Sequence, residues 1–235
     1  MSSKINTLFK SPSYPLVAVK GRDSKYPVHR IFCVGRNYAE HAKEMGVEVD
    51  REAPFYFLKD AQAIVQSGST VAFPPGTTNY HYEIELVIAI GKSVFKADED
   101  QAKEAIYGYA TGLDMTRRDL QLDARAKQRP WDLRKNFERS DVITAITSAE
   151  AVGEIGPQRI WLTVGGETKQ EAHLSDLVWT PTELVSHLSK FYHLEPGDLI
   201  YTGTPAGVGP VVSGDRIEGG VDGLDSIELF VGEPE

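Results

Sequence analysis

Hydrophobic residues occur along the chain in short runs that alternate with polar residues or end at turns, a pattern typical of β-rich proteins. The 21 glycines and 13 prolines are spread along the whole sequence, as frequent turns require. Eight segments have the pattern of a strand: His29–Gly35, Pro54–Leu58, Thr70–Phe73, Tyr82–Ile90, Ala105–Leu113, Ile160–Val164, Leu199–Thr202 and Ser226–Val231. Three segments have the pattern of a helix: Asn37–Met45, which ends before Gly46, Thr116–Ala126, and Thr182–Phe191 behind Pro181. The pattern predicts a mixed α/β, mostly β fold with a few short helices.

The N-terminal stretch has a different character from the rest of the chain. Residues 1–27 are mostly polar and include Pro15 and Pro27, so we predict an arm that packs on the body. Residues 28–235 contain the predicted strands and helices, without a repeat or a low-complexity linker that would divide them. We therefore predict a single domain over residues 28–235.

Composition and charge exclude several classes of protein. Of 235 residues, 41% are hydrophobic and 25% are charged, as in ordinary globular proteins. The net charge of −9 argues against a nucleic-acid or anionic-membrane surface as a partner. No apolar run approaches the roughly 20 residues that a membrane helix needs, and the first residues lack an apolar signal core. The single cysteine, Cys33, fits a reducing compartment, so we expect a cytoplasmic protein.

Two glutamates begin the most apolar of the predicted strands. Side chains alternate along a strand, so Glu83 and Glu85 share a face with Val87 and Ala89. Both faces become apolar after Glu85, which predicts a strand that is buried on both sides. The two carboxylates would then lie at the entrance to this buried region. The alternative is a solvent-facing start of the strand. Asp114, at the end of another core strand, favours the buried interpretation.

Three carboxylates without a nearby cysteine or histidine cluster form a hard, all-oxygen set of ligands. Such a set suits Mg²⁺ or Mn²⁺, with water or substrate completing the shell. An anionic substrate would still need cations, and the segment Thr116–Arg139 carries eight Lys or Arg against four Asp or Glu. This segment is either a solvated basic helix face or the lining of a site for a small anionic molecule.

His41 and Glu44 lie three residues apart in a predicted helix and therefore face the same side. A carboxylate that orients a histidine is a common way to build a general base near pH 7. Taken alone, a pair at this spacing is far more often an exposed surface pair. Trp131, which follows Pro130, could flank the site, but the prediction that it anchors a loop is favoured. The loop from Thr202 to Pro210 has free backbone N–H groups that could hold a carboxylate.

Several of these segments occur together in an order that resembles the fumarylacetoacetate hydrolase family. The resemblance covers roughly residues 28–234. The segments that carry it are Gly35–Glu44, Phe57-Leu58-Lys59, His81-x-Glu83-x-Glu85, Leu113-Asp114-Met115-Thr116-x-Arg118-Asp119-x-Gln121, Lys135-x-Phe137 and Thr202-Gly203-Thr204-Pro205-x-Gly207-Val208-Gly209. The resemblance implies a β-sandwich roll that forms a homodimer and binds Mg²⁺ or Mn²⁺.

The resemblance also implies roles for individual residues. The metal ligands would be Glu83, Glu85 and Asp114, in agreement with the strand pattern. His41 and Glu44 would activate water, and Lys135 would lie near the reacting carbonyl group. The substrate-binding positions would be Arg36, Lys59, Arg118, Gln121 and Thr204. Asp60 departs from the family, in which proline often follows the lysine at position 59.

The resemblance is greatest to the short single-domain branch, whose members act on small anionic 2-oxo acids. It implies a hydrolase that breaks the C3–C4 bond of acylpyruvates, with fumarylpyruvate as the preferred substrate. An alternative is an oxaloacetate decarboxylase or keto-enol tautomerase that uses the same metal-stabilised enolate. A third hypothesis is a non-catalytic, metal-dependent protein that binds dicarboxylates, although mere binding needs no general base.

Overall fold

The computed structural model describes residues 8–9, 12–44 and 51–235. The strands in this part of the chain are β1 (Leu16–Val17), β2 (Tyr26–Pro27), β3 (Arg30–Gly35), β4 (Phe55–Lys59), β5 (Ile64–Gln66), β6 (Ser69–Ala72), β7 (Tyr80–Tyr82), β8 (Ile84–Ile90), β9 (Ile106–Asp114), β10 (Thr116–Arg117), β11 (Asp141–Ile143), β12 (Thr147–Ser148), β13 (Arg159–Val164), β14 (Glu167–His173), β15 (Asp198–Tyr201), β16 (Gly209–Val211), β17 (Arg216–Val221) and β18 (Ile227–Gly232). The α-helices are α1 (Ala39–Glu44), α2 (Glu99–Ala105), α3 (Arg118–Ala126), α4 (Asp132–Lys135), α5 (Ala149–Val152) and α6 (Pro181–Leu188). The mostly β prediction is confirmed.

A central sheet carries the strands that matter for the site. Its order is β4-β3-β15-β8-β9-β11-β5, and β12 pairs with β9. A second sheet has the order β14-β13-β17-β18-β6. Two smaller sheets, β10-β7-β16 and β1-β2, complete the described part. The central and second sheets enclose the main hydrophobic core, which is the arrangement of a β-sandwich.

The alternation of residues along β8 explains why the central sheet is covered on both faces. Ile84, Leu86, Ile88 and Ile90 belong to the main core. Val87 and Ala89, which point the other way, belong to a second apolar cluster that includes Val17 and Tyr26 of the N-terminal segment. The predicted burial of this strand on both sides is therefore correct.

The described part of the N-terminal segment packs on the central sheet. Val17 is fully buried, and the Tyr26 hydroxyl donates hydrogen bonds to the carbonyl oxygens of Ile90 and Asp198 at 2.8 and 2.9 Å. Residues 1–7 and 10–11 of the predicted arm lie outside the described residues. The division at residue 27 into an arm and a domain stays a prediction.

Each of the eight predicted strand segments contains a strand, but Tyr82–Ile90 is divided at Glu83. Upstream of Glu83 the chain pairs in the small sheet with β10 and β16, and downstream it enters the central sheet. The Ile84 N–H donates to the Gln170 side-chain oxygen at 3.1 Å rather than to a strand. Glu83 therefore lies at the junction between the small sheet and the central sheet.

The helix predictions hold with shifted ends. Positions 116 and 117 form β10, so α3 starts at Arg118 rather than Thr116. Helix α6 starts at Pro181 because Thr180 and Glu183 form a capping box. The predicted end of the first helix, at Met45 and Gly46, lies outside the described residues. No helix in the described ranges is long and apolar enough to cross a membrane.

Candidate active site

Three buried carboxylates meet where β8 and β9 lie side by side. Glu83 precedes β8, Glu85 is its second residue, and Asp114 ends β9. The antiparallel register pairs Ile84 with Leu113, and the Asp114 N–H donates to the Glu83 carbonyl oxygen at 2.9 Å. One oxygen of each carboxylate lies within 4.8 Å of the others, and the three residues are 5%, 2% and 1% exposed. The solvent-facing alternative for Glu83 and Glu85 is thereby excluded.

Two cations neutralise part of this negative charge. The Lys135 ammonium group lies 2.8 Å from Glu83 Oε2, 2.6 Å from Asp114 Oδ2 and 2.7 Å from Thr116 Oγ1. Arg118 forms a second ion pair with Glu83. Burial by itself would raise the pKa of the Glu83 carboxyl group, but Lys135 and Arg118 outweigh burial and lower it. Glu83 is therefore held ionised.

Glu85 has a different environment from Glu83. Among the described residues, no Lys or Arg forms an ion pair with it, and its Oε2 accepts a hydrogen bond from the Gly203 N–H at 2.7 Å. Gly203 has a φ of 97°, a conformation that favours glycine, and a Cβ atom there would lie 2.9 Å from the Asn37 side chain. Burial, followed by the nearby charges of Asp114 and Glu83, raises the pKa of Glu85 well above its usual value.

These residues fit a hard divalent cation. A buried carboxylate without a cationic partner is costly, and a cation held by Glu83, Glu85 and Asp114 would supply the missing positive charge. The ligand atoms are all carboxylate oxygens, which Mg²⁺ and Mn²⁺ prefer. The arrangement therefore supports the predicted Mg²⁺ or Mn²⁺ site.

The structure places Lys59 away from the substrate-binding position that the resemblance implied. Its side chain is fully buried behind Asp114, 2.7 Å from Asp114 Oδ1 and 3.2 Å from Asp141 Oδ1. Its ammonium group also donates to the Ser140 carbonyl oxygen at 3.0 Å. Because these contacts turn Lys59 inward, it orients a candidate metal ligand and does not line the cleft. Burial also raises the pKa of Asp141, to about 7.

His41 and Glu44 are close together, as predicted from their spacing in α1. His41 Nδ1 lies 3.1 Å from Glu44 Oε2, and His41 is 7% exposed. The Gly207 N–H donates to Glu44 at 3.2 Å. The sequence predicted that N–H groups of this loop could hold a carboxylate, and those of Gly203 and Gly207 bind carboxylates of the protein itself. Asn37 fixes the start of α1 because its side-chain amide donates to the carbonyl oxygens of Thr202 and Trp179.

One cleft, with a volume of about 580 Å³ that includes its opening to solvent, is lined by most of the predicted site residues. Glu44 and Lys59 do not line it. Glu44 instead contacts His41, which does line the cleft. Thr204 Oγ1 accepts a hydrogen bond from the Gln170 side chain at 2.8 Å, and Arg118 donates to Gln121. The predicted residues that line the cleft are Arg36, His41, Glu83, Glu85, Asp114, Arg118, Gln121, Lys135 and Thr204.

An aromatic wall of the cleft was not predicted from the sequence. Trp131 lines the cleft and does not only anchor a loop; its ring centroid lies 5.2 Å from that of Phe55 and 5.8 Å from that of Phe57. Phe55 and Phe57 are two residues apart on β4, so their period-2 spacing was a signal for a shared face. Leu122 and Arg125 of α3 also line the cleft. Leu122 and Arg125 follow Arg118 by four and seven residues. This helical spacing was a second signal in the sequence, because it places them on the same side of the helix as Arg118.

Comparison with known proteins identifies close relatives. A model of the fumarylacetoacetate (FAA) hydrolase C-terminal family matches residues 30–231. A fumarylpyruvate hydrolase from Ralstonia sp. is 55% identical over 193 residues, which are 81% of this chain and 100% of the relative. The mitochondrial oxaloacetate tautomerase FAHD1 of Homo sapiens is 42% identical over 205 residues, 87% of this chain and 92% of the relative.

Solved structures give the same picture. The crystal structure of fumarylpyruvate hydrolase from Pseudomonas aeruginosa in complex with Mn²⁺ and pyruvate superposes with a TM-score of 0.94. It is 47% identical in sequence, and the match covers 97% of this chain and 100% of that one. A second structure, described as that of a putative fumarylpyruvate hydrolase from Burkholderia cenocepacia, has a TM-score of 0.91 at 44% identity, with 98% and 100% covered.

Proposed function

The chain belongs to the fumarylacetoacetate hydrolase family, and on this premise we propose that it is a metal-dependent hydrolase of acylpyruvates. The proposed reaction adds water across the C3–C4 bond of fumarylpyruvate and yields fumarate and pyruvate. The fumarylpyruvate hydrolases among its relatives support this choice of substrate.

One observation carries the proposal. The cleft that contains Glu83, Glu85 and Asp114 is also lined by His41, whose ring is held by Glu44. Binding of a dicarboxylate would need cations and a shaped cavity, but it would not need an oriented general base. Hydrolysis needs both a site for the anionic substrate and a base that activates water.

The proposed metal ligands are Glu83, Glu85 and Asp114. When bound there, Mg²⁺ or Mn²⁺ supplies a Lewis acid that stabilises the pyruvate enolate as it leaves. Arg118 would neutralise the substrate carboxylate, and the Gln121 side chain and the Thr204 hydroxyl would orient it by hydrogen bonds. Arg36 stays a proposed substrate-binding residue at the mouth of the cleft.

The proton transfers fall to His41. Because His41 Nδ1 faces Glu44, its Nε2 atom is available to accept a proton from water. The resulting hydroxide attacks C4, and Lys135 donates a hydrogen bond to the developing oxyanion in place of one of its present contacts. The C3–C4 bond then breaks, fumarate leaves, and the proton held by His41 is returned to C3 of the enolate. The second proton of the water leaves to solvent when the new carboxylic acid ionises, so fumarylpyruvate plus water gives fumarate, pyruvate and a proton.

Turnover of oxaloacetate is the second candidate function, favoured by the 42% identity to the human oxaloacetate tautomerase. It uses the same enolate but no attacking water. The test is release of pyruvate and fumarate from fumarylpyruvate by metal-loaded protein, with oxaloacetate assayed in parallel for decarboxylation and for enol-keto exchange. We expect equal amounts of pyruvate and fumarate. Turnover of oxaloacetate without any cleavage of acylpyruvates would replace the proposal by the second candidate.

We also propose that the protein acts as a homodimer in the cytoplasm. The family resemblance supports the dimer, and two exposed leucines, Leu122 at 51% and Leu133 at 75%, are available to an apolar contact. The buried free thiol of Cys33 suits a reducing compartment. Light scattering should give about twice the chain mass of 25.9 kDa. A mass of one chain would contradict the dimer.

A further inference from the structure

One face of α3 runs along the cleft from its floor to its mouth. Arg118, Gln121, Leu122 and Arg125 line the cleft, and their spacing of three, four and seven residues places them on one side of the helix. Arg118 and Gln121 are buried at 4% and 6% exposure, whereas Leu122 and Arg125 are exposed. The helix therefore presents a guanidinium group at each end of the cleft.

The two arginines leave α3 two turns apart. Seven residues of α-helix rise about 10.5 Å. In fumarylpyruvate the two carboxyl carbons are joined by six bonds, which span roughly 7 Å when extended, as do two extended residues. Oxaloacetate has only three bonds between its carboxyl carbons, so it extends about half as far.

The wall beside this face suits a flat, conjugated group. Phe55 and Trp131 pack edge to face there, and the Arg36 guanidinium lies 5.4 Å from the centre of the Phe55 ring. Aromatic and guanidinium planes bind planar groups by stacking. The fumaryl group is planar and conjugated and ends in a carboxylate, and Arg125 lines the same cleft.

The acidic residues of α3 do not face this end of the cleft. Asp119 accepts hydrogen bonds from the Thr77 hydroxyl and the Thr78 N–H, and Asp123 pairs with Lys127 at 2.5 Å. Neither carboxylate lines the cleft. The side chains that α3 contributes to the cleft are thus two arginines, a glutamine and a leucine.

We propose that Arg125 binds the distal carboxylate of the substrate and thereby selects acylpyruvates whose planar acyl group ends in a carboxylate. This specificity rests on the proposed acylpyruvate hydrolysis. Arg118 binds the end of the substrate near the metal ligands, and Arg125 binds the distal end. An arginine matches a carboxylate with two parallel N–H donors, which gives both affinity and orientation.

The experiment compares two substrates that differ at the distal end. Fumarylpyruvate ends in a carboxylate, whereas acetylpyruvate ends in a methyl group. In the Arg125→Ala variant we expect kcat/KM for fumarylpyruvate to fall by about 10- to 100-fold. The value for acetylpyruvate should fall by far less, and Arg125→Lys should restore part of the loss. Product inhibition gives a second readout: inhibition by fumarate should weaken in Arg125→Ala, and inhibition by pyruvate should change little.

Lys127→Ala is the matched control, since it removes the same charge from the end of the same helix but lies outside the cleft lining. A similar loss in Lys127→Ala and Arg125→Ala would mean long-range attraction, not binding, and would overturn the inference. Equal losses on both substrates in Arg125→Ala would overturn it as well. If wild-type protein cleaves neither acylpyruvate, the proposed function fails; if it cleaves both and Arg125→Ala keeps the wild-type ratio, only this inference fails.

Discussion

His41 is the residue at which hydrolysis and decarboxylation of a 2-oxo acid diverge. Hydrolysis needs a base for the attacking water, whereas decarboxylation needs only an electron sink. We therefore expect His41→Ala to lower cleavage of fumarylpyruvate by at least about 100-fold and to spare any decarboxylation of oxaloacetate to a greater extent. Pyruvate release from both substrates at saturating Mg²⁺ measures this. Metal affinity should be kept, and equal losses on both substrates would assign His41 to substrate placement.

Lys59 forms buried ion pairs behind the candidate metal site. Its buried ammonium group lies between Asp114 and Asp141, so removing it takes from Asp141 its ion-pair partner and leaves Asp114 with Lys135 alone. We expect Lys59→Met to lower the free energy of unfolding by about 3–5 kcal/mol, as measured by urea denaturation of metal-free protein. The control is Lys92→Met, which breaks an exposed pair with Glu104 and should cost under about 1 kcal/mol. Similar losses in both variants would show that the burial of Lys59 has no special role.

At the scale of elements, Gly108 allows β12 to lie against β9. A Cβ atom at Gly108 would lie 2.2 Å from the Thr147 carbonyl oxygen, and this backbone atom cannot move without opening the pairing. We expect Gly108→Ala to lower the free energy of unfolding by about 1–3 kcal/mol. Gly156→Ala is the control, because a Cβ atom there meets nothing within 4 Å. Wild-type stability of Gly108→Ala would contradict the close approach.

At the scale of the whole molecule, metal binding should raise the stability of the fold. A ligand that binds only folded protein adds about 2.7 kcal/mol at 100 times its Kd, which is about 5–10 °C in Tm for a chain of this size. We expect Mg²⁺ or Mn²⁺ to produce such a shift and Glu85→Gln to abolish it. Glu99→Gln, an exposed change in α2, should keep the shift. An undiminished shift in Glu85→Gln would remove Glu85 from the proposed ligands.

The residue types and their local periodicity were enough to predict much of this protein. The apolar residues on both faces of Tyr82–Ile90 after Glu85 predicted a strand buried on both sides. This was possible because the two-residue period of a strand is a local property of the sequence. Strands such as β14 were missed because ETKQEAH contains no apolar alternation, and β17 because two glycines interrupt it. The ordered motifs, read together, indicated the family that the comparisons confirm.

The sequence by itself determined the family, the mostly β class and which carboxylates, histidine and lysine were candidates for the site. Only the tertiary structure decided that Lys59 faces Asp141 instead of the cleft, that the glycine N–H groups hold Glu44 and Glu85, and that Phe55 and Trp131 form a wall. These contacts join residues that are far apart in the chain. They depend on strand register and on which side chains must be neutralised when buried, and local patterns of hydrophobicity do not specify either.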